Sequence, residues 1–372
     1  MKKLNVIIIL IDGGRLDRIM NSNYFQSLKS KFSFFSNLIT YSPHTIAAMH
    51  AIFSGCYGTR TGTNSYWSTY QFKKNRFKTL TEYLHDLDYY TYADLHSEIV
   101  IPKQGFDKFV TYDEDKDDIM SRHSDLIENF SKKDKNFFLY LHYSKIHTGI
   151  MNEVLKVYNN SSKEFFDNRT KNKQRYDTLF KNAEIYLQSI LDEINNLGLE
   201  KNALILVMSD HGISVGEKFG ERAYGAFCYD YTLRTFTYFL SEEFISREIT
   251  QQIRTVDFMS TILDYLEIPF DNKYERPDGV SLIPLIHGTS IPEQIAYSET
   301  GNPLDKKEPP KEPNTKSVRT SKWKLILNQY DNSKELYNLE LDPNEEKNLV
   351  GKGEKMESFL WEKLQELGKV SD

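Results

Sequence analysis

Ala203-Leu-Ile-Leu-Val-Met-Ser-Asp-His-Gly212 is an apolar run that ends abruptly in an aspartate, a histidine and a glycine. A run this short, rich in β-forming residues and preceded by a helical pattern, predicts a fully buried parallel strand. Open α/β sheets bind their ligands beyond the carboxyl ends of such strands. We therefore expect Asp210 and His211, whose side chains are suited to metal binding, to lie in a functional site.

The first strand of the chain ends in the same way. Leu4-Asn-Val-Ile-Ile-Ile-Leu-Ile11 is a second buried-strand run, and Asp12-Gly13-Gly14 follows it directly. Either aspartate taken alone has another interpretation, because aspartate also caps helix N-termini. Two such strand ends, one of them with a histidine attached, favour the convergence of Asp12, Asp210 and His211 on one cation.

The chain alternates between predicted strands and helices up to about residue 288. Apolar residues at helical spacing predict helices over 175–197 and 253–266. Residues 151–175 are polar and lack periodicity, which indicates an insertion or a mobile cover over a pocket. The alternation as a whole predicts an α/β fold with a mainly parallel central sheet and helices on both faces.

The pattern changes after residue 288. Short strands surround a loop at 303–314 that is rich in proline and lysine, and an amphipathic helix follows near 354–367. This pattern predicts a small C-terminal α+β subdomain with an antiparallel sheet. A chain of 372 residues also exceeds the size at which a single core keeps growing. We predict a catalytic domain at 1–288 and the C-terminal subdomain at 289–372.

Composition excludes several classes of protein. A net charge of −6 argues against a nucleic-acid binder, because no basic excess is present to neutralise phosphates. No stretch approaches the roughly 20 apolar residues of a membrane span, and the apolar N-terminal run meets Asn5 and Asp12 without a signal-peptide cleavage site. Two cysteines, Cys56 and Cys228, do not make a disulfide framework, so we expect a cytoplasmic protein.

A helix that begins near Thr45 carries the candidate nucleophile. Pro43 and Thr45 mark its start, an alanine-rich body follows, and Gly55 ends it. Backbone N–H groups at a helix N-terminus favour an anion, and a hydroxyl there becomes a nucleophile when a metal ion lowers its pKa. The alternative is that Thr45 is only a helix cap.

Five further segments complete a pattern that resembles the sulfatase branch of the alkaline phosphatase superfamily over almost the whole chain. Ile11-Asp12 is similar to the first metal-binding strand end of that family, and Ser209–Gly212 to the second. The family's other signatures resemble Tyr229-Asp-Tyr-Thr-Leu-Arg234, Gly105-Phe-Asp107, the segment Asp278–Gly288, Val318-Arg-Thr-Ser-Lys-Trp-Lys-Leu-Ile326 and the segment Glu335–Leu349.

The nucleophile position departs from the family. Sulfatases carry a Cys or Ser in a Cys-x-Pro-Ser-Arg type motif that is oxidised to formylglycine, and here Thr45, Ala47 and Met49 stand at the Cys, Pro and Arg positions. Oxidised threonine is a ketone, so the formylglycine mechanism is excluded. The resemblance instead implies Thr45 as the nucleophile of a phosphodiesterase or a phospho-group transferase.

The resemblance also implies one divalent cation, held by Asp12, Thr45, Asp210 and His211. Gly13 stands where sulfatases have a second aspartate, and no histidine after His211 matches a third ligand of the two-zinc phosphodiesterases. A carboxylate-rich set with one histidine suits Mn, Mg, Ca or Zn, so the identity of the ion stays open.

Four more residues resemble substrate-binding or proton-transfer positions of the family. His147 and His96 are similar to family histidines, although Lys145 and Asp94 replace an acidic residue and a lysine beside them. The alternative for each histidine is a hydrogen-bonded loop residue. Lys218 and Arg222 lie in the loop after the metal motif, where a cation contacts the substrate anion. His142, inside a strand, is interpreted as structural.

The leading functional prediction is a metal-dependent hydrolase or transferase of phosphodiesters or phosphomonoesters. The alternatives are a sulfuric ester hydrolase that works without formylglycine, and a non-catalytic protein that binds an anionic saccharide or a lipid head group. The expected partner is a small anionic ester. The natural substrate, the choice between hydrolysis and transfer, and the oligomeric state stay open.

Overall fold

The computed structural model describes residues 2–304 and 310–369. Within those ranges a nine-stranded sheet forms the centre of the protein. Its strands are β1 (Asn5–Ile11), β2 (Ser33–Ile39), β3 (Tyr90–Leu95), β4 (Lys108–Thr111), β5 (Phe137–Tyr143), β6 (Ala203–Met208), β7 (Arg234–Leu240), β8 (Arg247–Ile249) and β9 (Ile253–Arg254).

The predicted buried strands lie at the middle of this sheet. The strand order is β4-β3-β5-β1-β6-β7-β2-β8, with β9 paired to β2. Strand β1 pairs in parallel with β5 on one side and with β6 on the other. Strand β7 runs antiparallel to both of its neighbours, β6 and β2. The carboxyl ends of β3, β5, β1 and β6 therefore meet at one edge, which is where a ligand is expected.

Helices cover both faces of the sheet. Alternate residues of β1 point into two separate apolar cores, with Ile7 and Ile9 in one and Val6 and Ile8 in the other. The helices are α1 (Leu16–Ile19), α2 (Asn23–Leu28), α3 (Thr45–Ser54), α4 (Gly58–Thr61), α5 (Leu80–His85), α6 (Ile119–Ser131), α7 (Lys145–Ile150), α8 (Lys163–Asp167), α9 (Arg169–Asn196), α10 (Asp230–Leu233), α11 (Asp257–Tyr265), α12 (Ile283–Ile286) and α13 (Lys355–Gly368), with 3₁₀ turns at Tyr66–Gln71 and Leu199–Asn202 and a π-helical turn at Met151–Leu155.

A second sheet follows, built from four antiparallel strands in sequence order. These strands are β10 (Ala296–Thr300), β11 (Thr315–Arg319), β12 (Trp323–Asn328) and β13 (Ser333–Asn338). Helix α13 packs on this sheet through Leu360 and Leu364. The α/β fold with an antiparallel C-terminal sheet is thus confirmed, while the boundary at residue 288 stays a prediction and residues 305–309 of the predicted loop lie outside the described part.

Helix α3 is held between two cores. Met49, Ile52 and Phe53 belong to a core of the main sheet, whereas Ala47 and Ala51 pack in the core of the C-terminal sheet. Both groups are almost completely buried. The helix that begins at the candidate nucleophile therefore contacts both sheets.

Two predicted elements need correction, and one short strand was not predicted. Residues 151–175 are largely helical, because Phe165 and the buried Asn172 anchor α8 and the start of α9 even though apolar periodicity is absent there. The predicted helix over 253–266 begins only at Asp257, since Ile253–Arg254 forms β9. Lys108–Thr111 forms the short edge strand β4, a strand that the sequence pattern did not predict. Among the described helices, none is both long and apolar enough to cross a bilayer.

Candidate active site

Asp12, Asp210 and His211 converge at the carboxyl edge of the sheet, and we call them the aspartate cluster. Strands β1 and β6 pair in parallel register, so the residues that follow them lie side by side. His211 Nε2 is 3.6 Å from Asp12 Oδ1 and 3.5 Å from Asp210 Oδ2. All three side chains are fully buried. The structure therefore brings these three residues together, as the sequence predicts.

The aspartate cluster has the chemistry of a cation site. Asp12 Oδ1 and Asp210 Oδ2 are buried and have no hydrogen-bond partner among the described residues. Burial and the neighbouring Asp12 charge raise the pKa of Asp210. Two buried carboxylates with unpaired oxygens are costly unless a cation lies between them. These residues therefore fit the divalent ion that the sequence predicts.

Two local contacts orient the ligands of this cluster. His211 Nδ1 lies 2.8 Å from the carbonyl oxygen of Gly212, and because a carbonyl only accepts, Nδ1 carries the proton and Nε2 is free to bind a cation. Gly13 has φ +75°, and its backbone N–H donates to Asp210 Oδ1 at 3.2 Å. The family's second aspartate is thus replaced by a residue whose backbone supports Asp210.

Thr45 lies beside the aspartate cluster. It is the first residue of α3, and its Oγ1 lies 3.3 Å from His211 Nε2 and 3.4 Å from Asp12 Oδ2. Thr45 is 8% exposed, while Asp12 and His211 are completely buried. Thr45 is thus more accessible than the two buried residues beside it, as a nucleophile requires. Met49 and Ala47, at the family's Arg and Pro positions, are buried apolar residues.

His142 contacts Asp12, although the sequence favoured a structural interpretation. Leu10 and His142 are partners in the parallel register of β1 and β5, which places the histidine beside the strand end. Its Nδ1 lies 3.2 Å from the Tyr140 hydroxyl, and its Nε2 lies 3.0 Å from Asp12 Oδ2. The hydroxyl donates to Nδ1, so Nε2 donates to the carboxylate. The hydrogen bond between His142 and Asp12 positions the Asp12 carboxylate. The register between β1 and β5 is the feature that indicates this contact.

His96, Glu114 and His147 lie together beside His142, and we call them the histidine cluster. His96 follows β3, Glu114 lies in the loop after β4, and His147 lies in α7 after β5. The rings of His96 and His147 are 5.2 Å apart, and His147 Nδ1 is 3.9 Å from Glu114 Oε1. The structure thus brings both predicted histidines to the site, together with a glutamate that the sequence analysis missed.

The histidine cluster contains groups with opposite pKa shifts. Burial lowers the pKa of His96 to about 3, with a further contribution from His142. Burial also opposes protonation of His147, but Glu114 and Asp12 outweigh it and raise its pKa. Burial alone would raise the pKa of Glu114, yet interactions with His147 and His96 lower it to about 2. The cluster therefore combines a neutral histidine with a charged pair.

Lys218, Arg222 and Asp94 are engaged outside both clusters. The Lys218 ammonium donates to the carbonyl oxygen of Glu345 and lies 4.7 Å above the Tyr229 ring. Arg222 donates to Asn160 Oδ1 at 2.6 Å. Asp94, at the family's lysine position, forms ion pairs at 2.6 Å with Arg122 and 3.2 Å with His123. The described structure therefore places none of these three side chains against the aspartate cluster.

Aromatic residues that the sequence analysis did not select line the other side of the site. The Tyr224 ring is 4.8 Å from the His211 ring and 6.0 Å from the His147 ring. Tyr66 stacks on His44 with 4.4 Å between ring centroids. His44 is 1% exposed, and burial lowers its pKa to about 3, so it is neutral. No sequence pattern indicated that these aromatic residues line the site, because they come from three segments that are separated in the sequence.

Comparisons with known proteins agree with this fold. The sulfatase family model matches residues 5–268, and the model described as N-sulphoglucosamine sulphohydrolase, C-terminal, matches residues 227–370. No curated protein matches the sequence. The structure is similar to a protein solved in complex with its substrate D-glucosamine-2-N,6-O-disulfate, with a TM-score of 0.74 and 17% identity over 99% of this chain and 98% of the other.

Two further solved structures show the same fold. A 2-O GAG sulfatase has a TM-score of 0.77 and 16% identity, with 99% of this chain and 92% of the other covered. The phosphonate monoester hydrolase of Agrobacterium radiobacter has a TM-score of 0.77 and 13% identity, with 98% of this chain and 95% of the other covered. At these identities the likeness concerns the fold alone.

Proposed function

The chain belongs to the sulfatase family as a hydrolase of sulfate or phosphate esters, and within that class we propose that it acts on phosphate esters through Thr45. One observation carries this proposal: the hydroxyl of Thr45 lies within hydrogen-bond range of both Asp12 and His211, at the start of a helix. The proposed reaction covers phosphodiesters and phosphomonoesters, with a small anionic ester as substrate.

Asp12, Asp210 and His211, with the Thr45 hydroxyl, would hold the divalent cation. When bound, such an ion lowers the pKa of the attacking hydroxyl and polarises the ester oxygens. Mn, Mg, Ca and Zn all suit carboxylate and imidazole ligands. His142 holds Asp12 in place through the 3.0 Å hydrogen bond. The N-terminal N–H groups of α3 favour the anionic group that is being transferred.

The proposed transfer has two steps. In the first, Thr45 Oγ1 bonds to phosphorus, its proton passes to the Asp12 carboxylate that accepts its hydrogen bond, and the bond to the leaving alcohol breaks. In the second, water bonds to phosphorus and the bond to Thr45 breaks. Thr45 Oγ1 takes back the proton held by Asp12, and the proton that the water releases passes to the group that protonated the leaving alcohol. If an alcohol replaced water in the second step, the same residues would perform transfer instead of hydrolysis.

The leaving alcohol needs a proton, and His147 is the better donor of the two nearby histidines. Its pKa is raised by Glu114, whereas burial keeps His96 neutral. His147 also reaches the surface, with 13% of its side chain exposed. His96 is placed to act as a neutral hydrogen-bonding partner. A general acid of this kind contributes about 10²–10⁴-fold to a rate.

Sulfate esters are the second candidate substrates, because the family match favours them. Threonine argues against them, since its single hydroxyl cannot expel a bound sulfate by forming a carbonyl, as an aldehyde hydrate can. A phosphothreonine, in contrast, is released by attack of water on phosphorus. The non-catalytic alternative is opposed by the retained cation ligands around a hydroxyl. The cytoplasmic location and the oligomeric state are not constrained by these residues, and the location stays a proposal.

Turnover of matched nitrophenyl phosphodiester, phosphomonoester and sulfate esters tests the proposal. Metal-loaded wild-type protein should hydrolyse a phosphate ester, Thr45→Ala should lose this activity while it keeps its metal, and Thr45→Ser should retain part of it. Thr178→Ala, an exposed position on α9, is the matched control. Exclusive turnover of the sulfate ester, or full activity of Thr45→Ala, would overturn the assignment.

A further inference from the structure

We propose that His96, Glu114 and His147 form a second cation site, next to the site at Asp12, Asp210 and His211. The sequence predicts one cation, and the first site accounts for it. The histidine cluster lies beside His142, whose ring is 4.6 Å from that of His96, and ligand atoms of His96, His142 and Asp12 lie within 4.8 Å of one another. Its three residues come from the end of β3, the loop after β4 and helix α7.

Unpaired ligand atoms carry the inference. His96 Nδ1, Glu114 Oε1 and His147 Nδ1 are all buried, and none of them has a hydrogen-bond partner in the described part of the chain. One nitrogen or oxygen from each residue lies within 4.8 Å of the others. Buried nitrogen and carboxylate atoms normally have partners. A cation held by these three residues would give their buried atoms the partners that the described structure lacks.

Distances also suit a cation in place of a direct contact. His147 Nδ1 and Glu114 Oε1 are 3.9 Å apart, which is too long for a hydrogen bond. Two ligands at about 2.1 Å from one zinc ion can be separated by up to roughly 4.2 Å. Two histidines and one glutamate are a zinc-binding set that leaves a fourth position open.

His142 does not belong to this second site. Its Nδ1 accepts from Tyr140 and its Nε2 donates to Asp12, so both ring nitrogens have partners. Its Nε2 contacts Asp12, a ligand of the first site. The two sites therefore have separate ligand sets, and a change in one can be examined without removing a ligand of the other.

A second cation would add positive charge to a site that the side chains of Lys218 and Arg222 do not reach. Asp94 stands where the family has a lysine, and Lys218 and Arg222 bind Glu345 and Asn160. The transferred anion needs an electropositive partner opposite the first cation. This use of the second site rests on the proposed function, and it gives His147 a ligand role in place of proton donation. The existence of the site does not rest on the proposed function.

Zinc stoichiometry tests the proposal. Protein dialysed against Zn²⁺ and then freed of unbound ion should contain two zinc ions per chain by elemental analysis. His96→Ala and Glu114→Gln should each contain one, and Asp210→Asn should also contain one, from the other site. The matched control His85→Ala, whose side chain is 50% exposed, should still contain two.

Anomalous scattering at the zinc edge gives a second measurement on the unchanged protein. Two peaks are expected, one within each cluster. A single peak at Asp12, with one zinc per chain, would overturn the proposal, and so would two zinc ions in folded Glu114→Gln. Failure of the proposed function would give a different result. A fully active Thr45→Ala variant would contradict the proposed function, but it would still contain two zinc ions per chain.

Discussion

The two clusters of the site are built in different ways. The aspartate cluster stands on the ends of two neighbouring strands of the central sheet, and its residues are fully buried. The histidine cluster is assembled from a strand end, a loop and a short helix, and its histidines are partly exposed. The site thus combines buried charged residues at strand ends with partly exposed histidines that a substrate can reach. Changes in the first cluster should therefore have larger effects than changes in the second.

The largest effect is expected for Asp210→Asn. We expect kcat/KM to fall by about 10³-fold or more, because a ligand of the first cation is lost. The metal-free variant should be more stable than metal-free wild type by on the order of 1 kcal/mol, since one of two repelling buried carboxylates becomes neutral. Kinetics of the loaded protein and thermal unfolding in chelator measure the two effects. Lower stability of the metal-free variant would show that Asp12 and Asp210 do not repel each other.

An intermediate effect is expected for His142→Ala. The variant loses the donor that orients Asp12, and such supporting contacts are worth about 10–100-fold in metal affinity. Metal titration should show this loss at the first site. Tyr140→Phe, which removes only the hydroxyl that supports His142, should show a smaller loss in the same direction. Unchanged affinity in His142→Ala would remove the link between the two clusters.

A smaller effect is expected for Lys218→Ala and Arg222→Ala. Both side chains bind groups away from the clusters, so kcat/KM should change by less than about tenfold, which is roughly 1.4 kcal/mol. The sequence alone predicted a substrate contact for each. Steady-state kinetics with the preferred ester separates these expectations. A loss of a hundredfold in either variant would show that its side chain turns into the site when substrate binds.

The smallest effect concerns Glu221, in the loop that follows the aspartate cluster. Its Oε1 accepts from the backbone N–H groups of Ala226 and Phe227, and burial raises its pKa to about 7. A carboxyl whose folded pKa is raised stabilises the fold at low pH and loses this contribution as pH rises through about 7. Unfolding of wild type from pH 5 to 8 should therefore show a loss on the order of 1 kcal/mol that Glu221→Gln lacks. Parallel curves for the two proteins would contradict this.

The sequence predicted the aspartate cluster because its signals are local. Each aspartate follows an unbroken apolar run, and such runs become central strands whose ends meet. Thr45 was predictable for a similar reason, since Pro43 and Gly55 bracket its helix. The central sheet and the antiparallel C-terminal strands followed from the same kind of pattern.

The histidine cluster was only partly predictable, because its geometry depends on long-range packing. Glu114 lies in a loop after the four-residue edge strand β4, and no periodic pattern in the sequence predicts this strand. The contact of His142 with Asp12 follows from the register between β1 and β5. The placement of Lys218 depends on Glu345, more than a hundred residues later in the chain. Sequence spacing carries none of this information.

Through helix α3, the packing of the C-terminal sheet affects the position of the Thr45 hydroxyl. A ten-residue helix is about 15 Å long, so a tilt of only about 4° would move its first residue by roughly 1 Å. Ala47 and Ala51 set that angle where they pack against the second core. A chimera that joined this N-terminal part to a relative's C-terminal part would therefore need a matching surface under these two alanines. Without it, the graft would misalign the hydroxyl of Thr45 and leave every ligand residue unchanged.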